Sequence, residues 1–340
     1  MHEKEGAVIK SFCSWVQSNT EKGFSGAPNP RAPNFIDLNL SCQKNNYSIY
    51  SKRVFVMGIA WGAVIMISHI KRFYRHYKRI RHVRDAYPCL RDLEPTIGAL
   101  CGGRVSFIPT EGGGHDYIFY VVREKRRIAV MRLANSRFVP SDSPVEKRLN
   151  GPRLRLTPRE RVVREHRICT LCGPSGLTPK PLWLSHNHDA QLNSYVEGER
   201  LLTHVLKNRI SMWDAIDRAA ERVALFHAVA GEAHMDLSLM NVLADESLEN
   251  LTLIDFELAP SPNLSFGEAR LGDFLNLVDM AYKFMTPDDK QAATQRLDRL
   301  LSHTLPADLR QVSFSRFVSK LSRIMSDPVF RAVLSNRLHA

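Results

Sequence analysis

The hydrophobic and polar positions divide the chain into a polar N-terminal segment, one long apolar run and a mixed remainder. Residues 1–53 are rich in Ser, Asn, Pro, Lys and Gly, a composition that predicts little fixed structure. Residues 54–70 are uncharged and mostly apolar, and as a helix they would extend about 25 Å. Because a hydrocarbon core is about 30 Å thick, this run is a short candidate transmembrane helix. A buried helix and a helix lying on a membrane surface are the alternatives.

After residue 87 the pattern first becomes strand-like. Apolar residues are concentrated in residues 104–110, 117–124 and 127–133, which predicts an antiparallel meander with a tight turn at Lys125 and Arg126. Three glycines fall in the first turn of this meander, namely Gly112, Gly113 and Gly114.

The next segment is predicted to be helical. Thr157 and Glu160 form a capping-box pattern with Pro158 at the first helical position, and the helix is expected to run to about Cys172. Glu165 interrupts the apolar face of this helix, and a carboxylate in such a place requires a cationic partner. A second capped helix is predicted from Ser211 to about Val229, and most of the remaining chain also reads as helical.

The positive charge is concentrated in one short segment. The chain carries 47 Lys and Arg against 35 Asp and Glu, for a net charge of +12. Residues 71–84 hold seven basic residues and no acid, with apolar residues at helical spacing. This pattern excludes a uniformly basic nucleic-acid coat and predicts a basic amphipathic helix that contacts an anionic membrane surface. The positive-inside bias then places the residues after 71 on the cytoplasmic face of a membrane.

The polar residues most suggestive of chemistry lie between residues 234 and 257. His234-Met235-Asp236 is followed by Asn241, five residues after Asp236. Two short apolar runs, 241–244 and 251–254, predict a hairpin, and the second ends at Asp255-Phe256-Glu257. Asp236, Asn241 and Asp255 are therefore expected to converge at one end of that hairpin.

This ordered set of motifs resembles the protein kinase-like superfamily. The spacing H-x-D-x-x-x-x-N matches the kinase catalytic loop, and Asp255-Phe256-Glu257 stands where the magnesium-binding D-F-G is found. The loop is most similar to the bacterial atypical branch, which includes lipopolysaccharide-core and Kdo kinases and aminoglycoside and choline phosphotransferases. The resemblance covers about residues 100–285, and residues 195–198 are similar to the adenine-contacting hinge of those families.

The resemblance implies an α+β, bilobal kinase-like fold. Residues 87–198 would form an N-lobe with a small antiparallel sheet and one helix, and residues 199–340 a mainly helical C-lobe. Residues 1–53 and 54–84 would precede them as a flexible segment and a membrane-associated segment.

The resemblance also implies roles for individual residues, with ATP and Mg²⁺ as cofactors. Asp236 would act on the acceptor hydroxyl, and Asn241 and Asp255 would hold Mg²⁺. His234 would brace the loop backbone. The residues expected to contact or support the nucleotide are Gly112, Gly113, Gly114, Arg132, Glu165 and Glu197, with Glu165 paired to Arg132.

Two departures from the eukaryotic pattern leave three functions open. Arg132 replaces the usual lysine, and Glu257 replaces the glycine of D-F-G. The segment after Asp255 is short and lacks an A-P-E motif, which disfavours a protein substrate. The first interpretation is a phosphotransferase acting on a hydroxyl of a non-protein acceptor, such as a lipid-linked sugar of the lipopolysaccharide core. The alternatives are a protein Ser/Thr kinase and a membrane-tethered pseudokinase.

Overall fold

The computed structural model describes residues 84–110, 116–135, 143–187 and 189–338. Several sequence predictions therefore lie outside the described residues, namely those for residues 1–53, 54–70 and 71–83 and for Gly112, Gly113 and Gly114. Within the described ranges, no helix is both long and apolar enough to cross a membrane. All described residues belong to one compact unit.

The described strands form three sheets in which every pairing is antiparallel. The strands are β1 (Ser106–Pro109), β2 (Tyr117–Arg123), β3 (Arg126–Leu133), β4 (Leu149–Asn150), β5 (Arg153–Arg155), β6 (Pro181–Leu184), β7 (Ala190–Ser194), β8 (Glu199–Arg200), β9 (Val242–Ala244), β10 (Leu251–Leu253) and β11 (Leu258–Pro260). The largest sheet has the order β1-β2-β3-β7-β6, and the two small sheets have the orders β10-β9-β8 and β11-β5-β4.

Helices make up most of the described chain after β8. The α-helices are α1 (84–100), α2 (Val145–Arg148), α3 (Pro158–Cys172), α4 (Leu201–Leu206), α5 (Met212–Ala230), α6 (Phe266–Tyr282), α7 (Pro287–Gln291), α8 (Ala293–Arg299), α9 (Ser322–Ser326) and α10 (Pro328–Arg337). The predicted mixture of helices with antiparallel sheets is thus confirmed. Helix α1 was not predicted from the sequence.

Local sequence signals account for the ends of the main helices. Thr157 and Glu160 form the predicted capping box at the start of α3, and Ser211 caps α5 by accepting a hydrogen bond from the Asp214 amide. Helix α5 ends where Gly231 adopts a left-handed conformation. The prediction of the turn between β2 and β3 was one residue off, because the two residues with positive φ are Glu124 and Lys125.

The buried apolar side chains form two separate clusters. One lies between α1 and the five-stranded sheet and includes Ile97, Phe119 and Met131. The larger one is built by α3 and the helices after β8, together with the β9–β10 hairpin, and includes Phe226 and Phe256. Because burial of apolar surface is the main force that holds such elements together, each cluster stabilises its own group of elements. The residues predicted to carry chemistry lie on elements of both groups.

Candidate active site

Asp273 of α6 fixes the backbone of the loop that carries Asp236. Its buried carboxylate accepts hydrogen bonds from the amides of His234 (2.6 Å) and Met235 (2.7 Å) and from His227 Nε2 of α5 (2.8 Å). Burial alone would raise the pKa of Asp273, but the hydrogen bond and charge of His227 outweigh it and hold the pKa below the ordinary value. The bonds hold Met235 at φ +68°, which a non-glycine residue adopts only when its surroundings enforce it.

His234 braces this loop, as the sequence predicted. The ring is completely buried; its Nε2 lies 3.0 Å from the carbonyl oxygen of Ile254, and its Nδ1 accepts a hydrogen bond from the Asp236 amide at 3.4 Å. Burial lowers the pKa of His234, so the ring is neutral and Nε2 carries the proton. His234 therefore joins the 234–241 loop to the end of β10 through hydrogen bonds at both ring nitrogens.

The β9–β10 hairpin brings Asp236, Asn241 and Asp255 together, as predicted. The Asn241 side-chain amide donates to the carbonyl oxygen of Asp236 at 2.9 Å, and its Nδ2 lies 3.5 Å from the Asp236 carboxylate. The backbone carbonyl of Asn241 accepts from the Ile254 amide at 3.0 Å, one residue before Asp255. Asp255 has φ +73°, so the site contains a second residue in a strained conformation.

The Asp236 carboxylate lies in a mostly buried, mixed-charge environment. Burial raises its pKa to about 6, although the nearby Arg153 guanidinium acts in the opposite direction. Arg153 Nη1 is 3.5 Å from Asp236 Oδ1, and the carboxylates of Asp255 and Glu257 also favour the protonated form. At neutral pH Asp236 is therefore largely ionised, with a pKa close to that expected of a general base.

Arg132 of β3 contacts three carboxylates. Its Nη2 lies 2.7 Å from Asp255 Oδ1 and 3.0 Å from Glu165 Oε2, and its Nη1 lies 3.2 Å from Asp116 Oδ2. The predicted ion pair between Arg132 and Glu165 of α3 is therefore present. Asp116 is buried and also pairs with Arg161 of α3. Three carboxylates thus share two guanidinium groups in the interior.

The pKa values of these carboxylates reflect both their burial and the presence of three carboxylates beside two guanidinium groups. Burial raises the pKa of Glu165 to about 7, and the charge of Arg132 only partly opposes the shift. Burial also acts to raise the pKa of Asp255, but the charge and hydrogen bond of Arg132 hold it below its ordinary value. The three neighbouring carboxylates keep Arg132 charged despite its burial. The pKa of Glu165 therefore lies near neutral pH, while that of Asp255 lies below its ordinary value.

Replacing Glu165 by Gln is expected to reduce the pH dependence of stability. The folded-state pKa lies above the unfolded value, so the folded state binds this proton more tightly. Its stabilising contribution is complete below about pH 4.5 and is lost as the pH rises through about 7, amounting to about 3 kcal/mol. Urea unfolding across this range should show a smaller decrease for Glu165→Gln than for wild type. The exposed Glu246→Gln is the control, and an unchanged slope in Glu165→Gln would contradict the assignment.

Arg164 ties helix α3 to the segments on both sides of the site. Its buried guanidinium donates to the carbonyl oxygen of Phe256 at 2.9 Å and to that of Ala233 at 2.6 Å. Phe256 stacks on Phe226 of α5, with ring centroids 5.3 Å apart, and lies 4.7 Å from the His234 ring. The position of α3 is therefore coupled to the backbone that flanks Asp236 and Asp255.

A cleft of about 600 Å³ adjoins these residues. Its polar end contains Arg132, Asn241 and Asp255, while its apolar lining comes from both groups of elements and comprises Ile118, Val130, Val196, Met240, Leu243 and Ile254. Tyr195, Val196 and Gly198 line one side, but the Glu197 side chain is exposed and does not line the cleft. Glu197 could contribute there only through its backbone. Of the three predicted catalytic residues, Asn241 and Asp255 line this cleft and Asp236 does not; a wider groove of about 1070 Å³ elsewhere is lined by none of them.

Gly198 allows the segment after β7 to approach the β9–β10 hairpin. A Cβ atom at this position would overlap the carbonyl oxygen of Ala244, and φ is +138°. Gly198→Ala is therefore expected to lower the free energy of unfolding by about 2–3 kcal/mol in urea titrations. Gly231→Ala is the matched control, because Gly231 also has a positive φ (+63°) but has nothing within 4 Å of its added Cβ. Gly231→Ala should lower the free energy of unfolding by only about 1 kcal/mol. An equal decrease in Gly198→Ala and Gly231→Ala would contradict the predicted overlap.

Sequence reasoning missed several residues that support the site. Asp116, Arg153, Arg161, Arg164 and Asn276 reach it from distant parts of the chain. The contacts of Asp273 were also missed, although the sequence contains a signal for them. Asp273 lies inside an apolar helical stretch, and a carboxylate there requires buried partners. For Asp116 and Arg153 no local pattern marks the contact.

Comparison with known proteins adds no family assignment. A scan against protein-family models and a search of curated proteins both found no match to this chain. Among the described residues, no group of three or more His, Cys, Asp or Glu side chains is arranged to hold a metal ion. Functional inference therefore rests on the geometry of the site and on the resemblance carried by its motifs.

Proposed function

We propose that this protein is an ATP- and Mg²⁺-dependent phosphotransferase with a kinase-like fold that acts on a hydroxyl of a non-protein acceptor. The main support is the convergence of Asp236, Asn241 and Asp255 beside a cleft that Asn241 and Asp255 line together with the Arg132–Glu165 ion pair. These contacts join residues up to 123 positions apart in the chain. The spacing of a short motif arises by chance far more easily than such a set of contacts.

The overall architecture is compatible with a bilobal kinase-like arrangement. A five-stranded antiparallel sheet with α3 would correspond to the N-lobe, and the helices after β8 to the C-lobe. The two apolar clusters separate the five-stranded sheet from the helices after β8, although Ile168 and Cys172 of α3 pack in the cluster of those helices. The connection 195–198 would then be the hinge, where backbone groups could contact adenine.

The cleft suits a nucleotide with its metal. Its apolar lining could enclose a base, and its polar end could receive phosphates. Magnesium is usually held by one or two carboxylates together with substrate phosphates and water, rather than by a cage of protein ligands. Asn241 and Asp255 would be the two protein ligands in such a site, with phosphates and water as the others.

Each residue of the site could have a separate role in phosphoryl transfer. Bound Mg²⁺ and ATP would supply the phosphoryl group and neutralise part of its charge. Asp236 would accept the proton of the acceptor hydroxyl, and its raised pKa of about 6 makes it a stronger base than an ordinary Asp. Asn241 would hold Asp236 in place through its two contacts. Arg132 would orient Asp255 and face the phosphates.

The segment after Asp255 supports a small or lipid-linked acceptor over a protein. Only residues 256–265 separate Asp255 from α6, and β11 within them is paired with β5. A protein kinase normally presents its substrate on a longer activation segment, so a protein Ser/Thr kinase is the less favoured alternative. A lipid-linked sugar remains the preferred acceptor because of the apolar run and basic segment at 54–84, which would place the site on the cytoplasmic face of a membrane.

One contact favours a second candidate, a pseudokinase that binds partners without turnover. Arg132 is bonded at 2.7 Å to Asp255 Oδ1, an oxygen that a catalytic site would offer to Mg²⁺. In a pseudokinase the Arg132 guanidinium would occupy the place beside Asp255 that Mg²⁺ has in an active kinase. Persistence of this pair in the presence of nucleotide would leave the site without its metal ligand.

Nucleotide binding and product analysis together distinguish these functions. Calorimetry should detect binding of ATP that requires Mg²⁺ and is lost in Asp255→Ala. Mass spectrometry of lipid and polysaccharide extracts should reveal a phosphate that is present in cells with the protein and missing in cells without it. Restoration by wild type but not by Asp236→Ala supports the phosphotransferase. Metal-independent nucleotide binding, together with full cellular function of Asp255→Ala, would favour the pseudokinase.

A further inference from the structure

The connection between β3 and α3 reaches across to the segment that follows Asp255. Strands β4 and β5 form a hairpin whose second strand pairs with β11, and Arg153 lies opposite Pro260. The Ser261 amide extends the pairing by donating to the carbonyl oxygen of Pro152 at 2.9 Å. A part of the chain that precedes Asp236 by about 80 residues is thereby held beside it.

This hairpin places the Arg153 guanidinium between two elements of the site. Its Nη1 is 3.5 Å from Asp236 Oδ1, and its Nη2 donates to Asn276 Oδ1 of α6 at 2.5 Å. Asn276 in turn donates to the carbonyl oxygen of Leu237, next to Asp236, at 2.6 Å. The Arg153 side chain is only 17% exposed, so its position is fixed by these contacts. A guanidinium has five N–H donors, and the two contacts leave donors to spare.

The phosphoryl transfer proposed for the site requires a cation close to Asp236. Charge is spread over the oxygens of a phosphoryl group during its transfer, and a cis arginine is one known way to stabilise it. Residues 234–241 contain no Lys or Arg. The Arg132 guanidinium already contacts three carboxylates, one of which is Asp255. Among the described residues, Arg153 is the cation that forms an ion pair with Asp236.

We propose that Arg153 is a further catalytic residue, which binds the phosphoryl group while it moves from ADP to the acceptor oxygen beside Asp236. In this step the bond from phosphorus to the ADP oxygen breaks and a bond to the acceptor oxygen forms. The hydroxyl proton passes to Asp236, and ADP leaves. The inference rests on the proposed phosphotransferase function, and it assigns to the β4–β5 hairpin the delivery of a charge that the 234–241 loop lacks.

A transition-state analogue tests this role without an acceptor and without turnover. Binding of Mg²⁺ and ADP is measured by calorimetry with and without aluminium fluoride, which mimics the phosphoryl group in transit. Wild type should gain affinity when the fluoride is present. Arg153→Gln should lose about tenfold or more of that gain, while its affinity for Mg²⁺ and ADP alone changes by less than about twofold. Arg153→Lys keeps the charge and should retain most of the gain.

The matched control is Arg155→Gln, which removes the same charge from an exposed position on the same strand. It should behave as wild type in both titrations. Equal loss of affinity with and without fluoride in Arg153→Gln would overturn the proposal, because it would indicate a purely structural role. Equal loss of the fluoride gain in the Lys and Gln variants would also overturn a role for the charge.

The experiment separates failure of this proposal from failure of the function on which it rests. If wild type binds Mg²⁺ and ADP but gains no affinity from fluoride, the role of Arg153 is rejected and nucleotide binding stands. If wild type binds no nucleotide in either titration, the proposed function itself is rejected, and the role of Arg153 with it.

Discussion

Asp236→Asn is expected to lower the rate of Mg²⁺-dependent phosphoryl transfer by about 10²–10⁴-fold. The amide has nearly the shape of the carboxylate but cannot accept the hydroxyl proton. The hydrogen bonds that hold the backbone of residue 236, from its amide to His234 and from Asn241 to its carbonyl oxygen, are kept, while the ion pair with Arg153 is lost. The rate is measured as ADP release with the acceptor identified from cell extracts, or with water in its place.

The variant should stay folded and bind nucleotide. Burial raises the pKa of Asp236 to about 6, so loss of this buried charge should leave stability unchanged or slightly increase it above that pH. Asp288→Asn, which removes an exposed charge at the start of α7, is the control and should have wild-type activity. Turnover by Asp236→Asn at the wild-type rate would exclude Asp236 as the base.

Arg132→Ala is expected to lower the free energy of unfolding by about 3–5 kcal/mol. The substitution leaves the buried Glu165 carboxylate and the partly buried Asp255 carboxylate without the guanidinium that they contact, while Asp116 keeps its ion pair with Arg161. Breaking a buried ion pair from one side is costly because the remaining charge cannot be solvated. Urea unfolding with circular dichroism measures the loss.

The pH dependence of this loss identifies its cause. Without Arg132 the folded-state pKa values of Glu165 and Asp255 should rise, because the charge of Arg132 lowers both, so the folded protein binds protons that the unfolded chain releases. Stability of the variant should therefore fall more steeply than that of wild type as the pH increases. Arg132→Lys keeps one charge and should recover part of the stability and retain or raise any turnover. A loss in Arg132→Ala that is the same at all pH values would point to packing instead of charge.

The parts of the site that could be predicted from the sequence are those in which chain spacing determines geometry. A hairpin that follows His234-Met235-Asp236 necessarily returns Asp255 to the neighbourhood of Asn241. The capping box at Thr157 sets the register of α3, which makes Glu165 an interior residue. The need for a buried carboxylate to have a cation then indicates a partner such as Arg132.

The rest could not be predicted because it depends on pairings between distant segments. Strand β5 has three residues, too few for a periodic pattern, and its pairing with β11 joins segments about 100 residues apart. From the sequence alone, Arg153 is therefore predicted to be an ordinary surface residue. Asp116 is similarly hidden, since nothing near it in the chain indicates that Arg132 and Arg161 will surround it. Helix α1 was missed because Pro88 and Pro95 fall within it, and a proline inside a helical pattern ordinarily indicates a break.

The contacts of α3 have a consequence for how such a protein could be controlled. Moving this helix outwards would break the two hydrogen bonds of Arg164 and the ion pair of Glu165 at the same time. Each of these buried interactions costs on the order of 1–3 kcal/mol when one partner is left unpaired. A state in which α3 has moved outwards would therefore be rarely populated unless other contacts replaced these. Because these contacts are costly to break, we expect the activity to be controlled by how much acceptor reaches the site and not by movement of α3.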